Sequence, residues 1–253
     1  EQVCLVLTDL VGSYERGTAQ ITSVLRDLGN EANRSAMSLE PVRMGGDELY
    51  HILRIRLFTD WGAIQGGTND GKWRHPAAIS DQVDTVAQGY GGAIRSAKQM
   101  DITAESPEQF AERVSNSYPF HPSIRDLYAR FRENSGFQQT RGLIRLMRIM
   151  VSRLWTSKAA ERKYLISAYD LDFNDPETLS EVAQINSTLN NAIAHDIASN
   201  GTALAEVMDA NLGGADTQDA ARLLFMSSLS TVPNAVQGLA IPELITYLCA
   251  PGR

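Results

Sequence analysis

Apolar positions along this chain follow two regimes. At the start, "VCLVLTDL" (Val3 to Leu10) is a β-branched and aliphatic run ending in Thr8 and Asp9, the pattern of a buried parallel strand that delivers polar side chains to a sheet edge. Helical spacing follows at Ile21, Val24, Leu25 and Leu28, and "MSLEPV" (Met37 to Val42) reads as a second short strand. In "GDELYHILRIRLF" the stripe Leu49, Ile52, Leu53, Ile55 and Leu57 predicts a helix capped by Asp47.

From Pro76 onward the period is helical almost throughout. The segments "PAAISDQVDTVAQGY", "SPEQFAERVSNS", "HPSIRDLYARFREN", "QTRGLIRLMRIMVSRLW", "DPETLSEVAQINSTLNNAIAHDIAS", "TALAEVMDANL", "TQDAARLLFMSSLS" and "IPELITYLC" each predict a helix. Two open on Ser or Asp followed by Pro, whose fixed φ suits a first helical turn. Only the opening third reads as α/β. The Gly-rich loop Gly62 to Trp73 and the segment Thr156 to Lys163 are the natural break points, and no internal repeat or low-complexity tract is present.

Composition narrows the class. A chain of 253 residues, 43% hydrophobic, is long enough for one large domain or two smaller ones with sizeable cores. A net charge of −7 gives no global field favouring nucleic acid, although a local basic stripe still permits it. Cys4 and Cys249 stand near opposite ends in apolar contexts, which reads as reduced, core-filling residues in a cytoplasmic setting. No run of about 18 apolar residues predicts a membrane span. The first residue is Glu1 rather than Met, with an apolar strand beginning at once, and the chain reads as a piece of a longer polypeptide.

Three motifs invite chemistry and lose it on inspection. "GGTNDGKW" (Gly66 to Trp73) has phosphate-loop spacing through Lys72, but Trp73 stands where a Ser or Thr hydroxyl must bind Mg²⁺, and Pro76 interrupts the helix that must follow. It reads as an exposed loop. Asp170, Asp172, Asn174 and Glu181 occupy positions 1, 3, 5 and 12 of a calcium loop, yet Asp175 replaces the glycine at the sharp turn, and an Asp cap followed by Pro176 explains the same letters. His195 and Asp196 adjoin mid-helix without partner histidines and read as a satisfied polar pair rather than a metal site. His121, between two prolines, reads as a structural cap. No nucleophile elbow, Cys/His pairing or carboxylate dyad supports independent catalysis. Arg141, Arg145 and Arg148 at i, i+4 and i+7 put three charges on one helical face, which suits a phosphate or nucleic-acid surface but from spacing alone reads more readily as a solvated face.

The order of elements, a strand ending "LTDL", a helix, "NEANRSAMSLEPV" and then "DELYHILRIRLF", resembles the end of the nucleotide-binding domain of AAA+ ATPases leading into their helical lid. The stretch "SYPFHPSIRDLYARFRENSGFQQTRGLIRLMRIMVSRLW" (Ser117 to Trp155), with "DIASNGTALAEVMD" and "SSLS" further on, is similar to a family of large prokaryotic ATP-binding proteins known by a domain-of-unknown-function label and often encoded beside DNA methyltransferases in phage-defence loci. This resemblance spans nearly the whole chain.

The resemblance implies a mainly α fold: residues 1–44 as the small α/β end of an AAA+ nucleotide core, 45–156 as a helical lid, and 157–253 as a helical region ending in the start of a winged helix. It implies Thr8 or Asp9 at a sensor strand tip, Arg34 as an arginine finger toward a neighbouring subunit, and Arg141, with Arg145 beside it, on the nucleotide phosphates. Such roles use the permanently charged planar guanidinium. ATP and Mg²⁺ are implied for the parent protein and no cofactor for this piece alone, since the phosphate loop is not in it. The parent is implied to be an ATPase and a homo-oligomer acting on a partner or on DNA in phage defence. The rival expectation is a non-catalytic helical scaffold that binds DNA or a methyltransferase.

Overall fold

The computed structural model describes residues 48–58, 75, 77–98, 105–131, 140–229 and 238–253. These belong to one compact unit, Met44–Arg253. Both expected strands, the Gly66 to Trp73 loop, Thr8, Asp9 and Arg34 lie outside the described residues.

The described chain is mainly helical, as its periodicity predicts. In order the helices are α1 (Glu48–Leu57), α2 (Ala77–Lys98), α3 (Pro107–Ser117), α4 (Ser123–Phe131), α5 (Thr140–Thr156), α6 (Pro176–Asn186), α7 (Leu204–Leu212), α8 (Asp216–Ser228) and α9 (Ile241–Leu248). Among the described residues the extended backbone amounts to one parallel bridge, Phe120 to Ile166. Two caps read from the sequence sit where the letters put them: Ser106 accepts from the Gln109 N–H at 3.2 Å ahead of Pro107, and Asp175 accepts from the Thr178 N–H at 3.0 Å ahead of Pro176; the expected cap Asp47 lies outside the described residues.

Two segments depart from expectation. The helix predicted to end near Tyr90 runs on to Lys98 through Gly89, Gly91 and Gly92. Packing supplies the reason: a Cβ on Gly91 would lie 3.0 Å from the Pro107 carbonyl oxygen, and one on Gly89 would lie 3.1 Å from the ring of Pro251. Glycine here lets α2 cross α3 at close range, and tertiary contact outweighs its poor helix propensity. In the opposite sense, the single helix predicted over "DPETLSEVAQINSTLNNAIAHDIAS" breaks after Asn186 into a 3-10 turn (Ser187–Leu189), one α turn (Asn190–Ala192) and a π turn (Ile193–Ile197). Ser187, Thr188, Asn190 and Asn191 are weak helix formers whose short polar side chains compete for the backbone, while Ile193 and Ile197 are both buried in the core.

The main core unites Leu49, Leu53, Phe120, Leu127, Leu146 and Met150 with Leu171, Phe173, Val182 and Leu223. It therefore takes residues from both sides of the 156/157 boundary. A smaller cluster of Tyr90, Ile94, Phe110, Val114 and Leu165 fills the α2–α3 crossing.

Candidate functional site

The arginine face of α5 is the site that the sequence singles out. Arg141 stands in the first turn of α5 and is exposed. The arginines that follow are taken up by α6: Arg145 donates to Glu181 at 2.5 Å, Arg148 to Glu177 at 2.7 Å, and Arg153 to the Asp175 cap. Residue numbers rise along α5 as their partners fall along α6, so the two helices run antiparallel and are zipped along one edge. Exposed pairs of this kind contribute about 0–1 kcal/mol each. The Arg153 pair differs, because the Asp175 side chain is only 2% exposed.

The calcium-loop letters disperse in the same way. Asp170 accepts from Lys163 at 2.6 Å, Asp172 from the Asn174 N–H at 2.9 Å, and Asn174 donates to Glu206 at 2.8 Å. With Glu181 committed to Arg145, the four side chains serve four different partners. His195 and Asp196 meet each other at 2.5 Å on an exposed turn. Among the described residues no three His, Cys, Asp or Glu side chains converge as metal ligands.

A buried polar centre lies between α1, α3 and α4, and sequence reasoning missed most of it. Arg54, 0% exposed, donates through Nε to the Tyr118 carbonyl at 2.6 Å and through a second nitrogen to the Asn116 carbonyl. It caps the C-terminus of α3, where free carbonyls and the helix dipole favour a cation. Tyr50 donates to the Pro122 carbonyl at 3.1 Å and accepts from the Arg125 N–H, and burial pushes its phenol well up. His121 accepts from the Ser123 N–H at 3.1 Å, the capping role its proline-flanked position suggests. Burial, helped by the Arg113 charge, lowers its pKa to about 3, so the ring is neutral. The ring lies among Tyr90, Phe110 and Tyr247.

Arg113 bridges Glu105 at 2.7 Å and Asp126, and Asp126 also accepts from Tyr247 at 3.1 Å. Arg130 reaches Glu243 at 3.1 Å. These contacts seat α9 against α4. Cys249 is half-buried and unbridged, and burial raises its thiol pKa. An open cleft of 390 Å³ between α2 and the loop around Tyr164 is lined by Asp81, Thr85, Tyr118 and Lys163. Its cation is already committed to Asp170. The described residues thus offer an ionic zipper, a buried polar network in which His121 Nε2 and Arg113 Nε have no hydrogen-bond partner, and one exposed guanidinium at a helix start.

Comparison with known proteins adds one finding. The family model described as the DUF499 second domain matches residues 46–230, a span that includes Arg141 and Arg145. No curated protein and no solved structure matches.

Proposed function

We propose that this chain, which belongs to the DUF499 second-domain family, works as the helical lid and coupling part of an ATP-dependent assembly, with Arg141 answering the phosphates of a nucleotide held by other residues. One observation carries the reading. Of the arginines along the α5 edge, Arg145, Arg148 and Arg153 are drawn off by the carboxylates of α6, while Arg141 is exposed in the first turn. That turn is where open backbone N–H groups and the positive end of the helix dipole add to a guanidinium in attracting an anion.

Nucleotide binding at Arg141 would pull on α5, and the zipper would hand that pull to α6 and the helices beyond it. The phage-defence setting and a methyltransferase or DNA client belong to this proposal as the processes such an assembly would serve. The test is Arg141→Ala in the protein that carries the phosphate loop. Turnover of ATP falls by about tenfold or more with the melting temperature unchanged, because the side chain lies outside the core. Unaltered turnover overturns the reading. The DNA-binding scaffold is the weaker alternative: two of the three guanidiniums on that face, Arg145 and Arg148, are already neutralised internally.

A further inference from the structure

Helix α7 is built inside out. Its two carboxylates are buried, Glu206 at 8% and Asp209 at 3% exposure, while Leu204, Val207, Met208 and Leu212 are 54%, 43%, 51% and 74% exposed. Its remaining exposed positions are Ala210 and Asn211, so the outward face carries no charge. A surface helix ordinarily shows the reverse arrangement.

The buried carboxylates explain how such a helix stands. Glu206 accepts from the N–H groups of Ser199, Gly201 and Ala203 at 2.9, 2.7 and 3.1 Å and from Asn174 at 2.8 Å. Asp209 accepts from the N–H groups of Thr217 and Gln218, both at 2.9 Å. Burial raises both carboxyl pKa values, but these hydrogen bonds outweigh it and hold them below their ordinary values. The helix is thus fixed by charge-assisted hydrogen bonds at both ends, leaving its apolar residues to face outward.

We propose that this face is a docking surface for a helix of a partner protein that presents apolar residues at i, i+3 and i+4 with Lys or Arg at its flanks. Charge selects that occupant. Between Tyr164 and Arg253 the chain carries eleven Asp and Glu against two Arg and no Lys, and after Arg130, Arg145, Arg148, Arg153 and Lys163 pair into this set from outside it the carboxylates remain in excess by four. Glu206 and Asp209, directly beneath the stripe, are ionised and form no ion pair with a described cation. A second copy meeting stripe to stripe would face these anions with their own duplicates, and an anionic lipid surface would be repelled likewise. A basic amphipathic helix gains from both the apolar face and the field beneath it.

The test uses the full 253-residue chain and a fluorescein-labelled peptide of Leu and Lys, about 15 residues long so that it can hold a helix, with a Leu/Glu peptide of the same pattern as control. Fluorescence anisotropy is expected to show saturable one-site binding of the Leu/Lys peptide, with the Leu/Glu peptide weaker by about tenfold or more. The double variant Met208→Ser, Leu212→Ser and the single variant Leu212→Lys each weaken binding by about tenfold. Trp155→Ser, exposed on α5, leaves it within about twofold. Circular dichroism verifies that each variant keeps its helix content, and Leu212→Lys, at the most exposed position of the stripe, secures the test should the double variant unfold. Equal binding of both peptides, or full binding by a folded stripe variant, overturns the proposal. So does sedimentation showing that the wild-type chain dimerises and the stripe variants do not, which would assign the face to a second copy.

Discussion

Two side chains show how firmly single residues are held in the polar centre. His121 is neutral within an aromatic cage, with its pKa lowered to about 3 by burial and by Arg113. The unfolded chain therefore binds a proton near pH 6.5 that the folded chain refuses until near pH 3. The stability this ring contributes is complete above the unfolded value and is lost as pH falls toward the folded one, at up to about 1.4 kcal/mol per pH unit. His75, also lowered by burial, adds in the same direction. Urea midpoints between about pH 6.5 and pH 5, above the range in which an ordinary carboxylate titrates, are expected to fall in the wild type and to fall less steeply in His121→Gln. An equal slope in both proteins would show that another group governs the acid limb.

Arg54 marks the limit of single-residue reading. In the sequence it is a charged residue in "HILRIRLF" that belongs on the wet side of an amphipathic helix, and its neighbour Ile55 belongs inside. The structure has Arg54 at 0% and Ile55 at 48% exposure. No local pattern announces this, because the partners that make a buried guanidinium tolerable are the Asn116 and Tyr118 carbonyls of a different helix end. His121 was legible as a cap because the prolines beside it constrain its backbone whatever lies around it.

Among the elements, those with a strong local signal were legible and those settled by contact were not. Ser106–Pro107 and Asp175–Pro176 start their helices as written. The glycine run in α2 was misleading because the close approach to α3 decides it, and this has a measurable signature. Gly91→Ala gains about 1 kcal/mol of helix propensity but drives a Cβ to 3.0 Å from the Pro107 carbonyl and 3.3 Å from Ala111. Overpacking of that kind costs about 1–3 kcal/mol, so the melting temperature is expected to drop. Gly92→Ala meets nothing within 4 Å and is expected to gain about 0.5–1 kcal/mol. Thermal melts of the two neighbours should move in opposite directions; a shared direction would remove the close crossing as the reason for glycine.

The candidate site divides along the same line. The arginine row of α5 was visible as a spacing, whereas its neutralisation by Glu177, Glu181 and Asp175 depends on which helix lies alongside. The inverted face of α7 was written in the letters "LAEVMDANL", but periodicity shows only which residues share a face and not which face is dry.

At the scale of the whole molecule, the central fact is a shared core. Leu146 and Met150 of α5 belong to the same apolar cluster as Phe173, Val182 and Leu223, so neither 45–156 nor 157–253 closes its own core. Far-ultraviolet dichroism, which follows helix, and near-ultraviolet dichroism, which follows aromatic packing, are expected to report one coincident denaturant transition for Met44–Arg253. Two separated midpoints would mean that the halves fold independently. Comparison places the larger part of this unit, residues 46–230, in the DUF499 second-domain family, and its mainly helical make-up was legible from periodicity alone.

The interred guanidinium of α1 has a mechanical corollary. Residue 54 is tied to backbone atoms 62 and 64 positions later in the chain, and it can neither shed its proton nor reach solvent to compensate their loss. Parting the first described helix from the turn after the third would strand that charge, so the two are expected to shift together rather than slide apart.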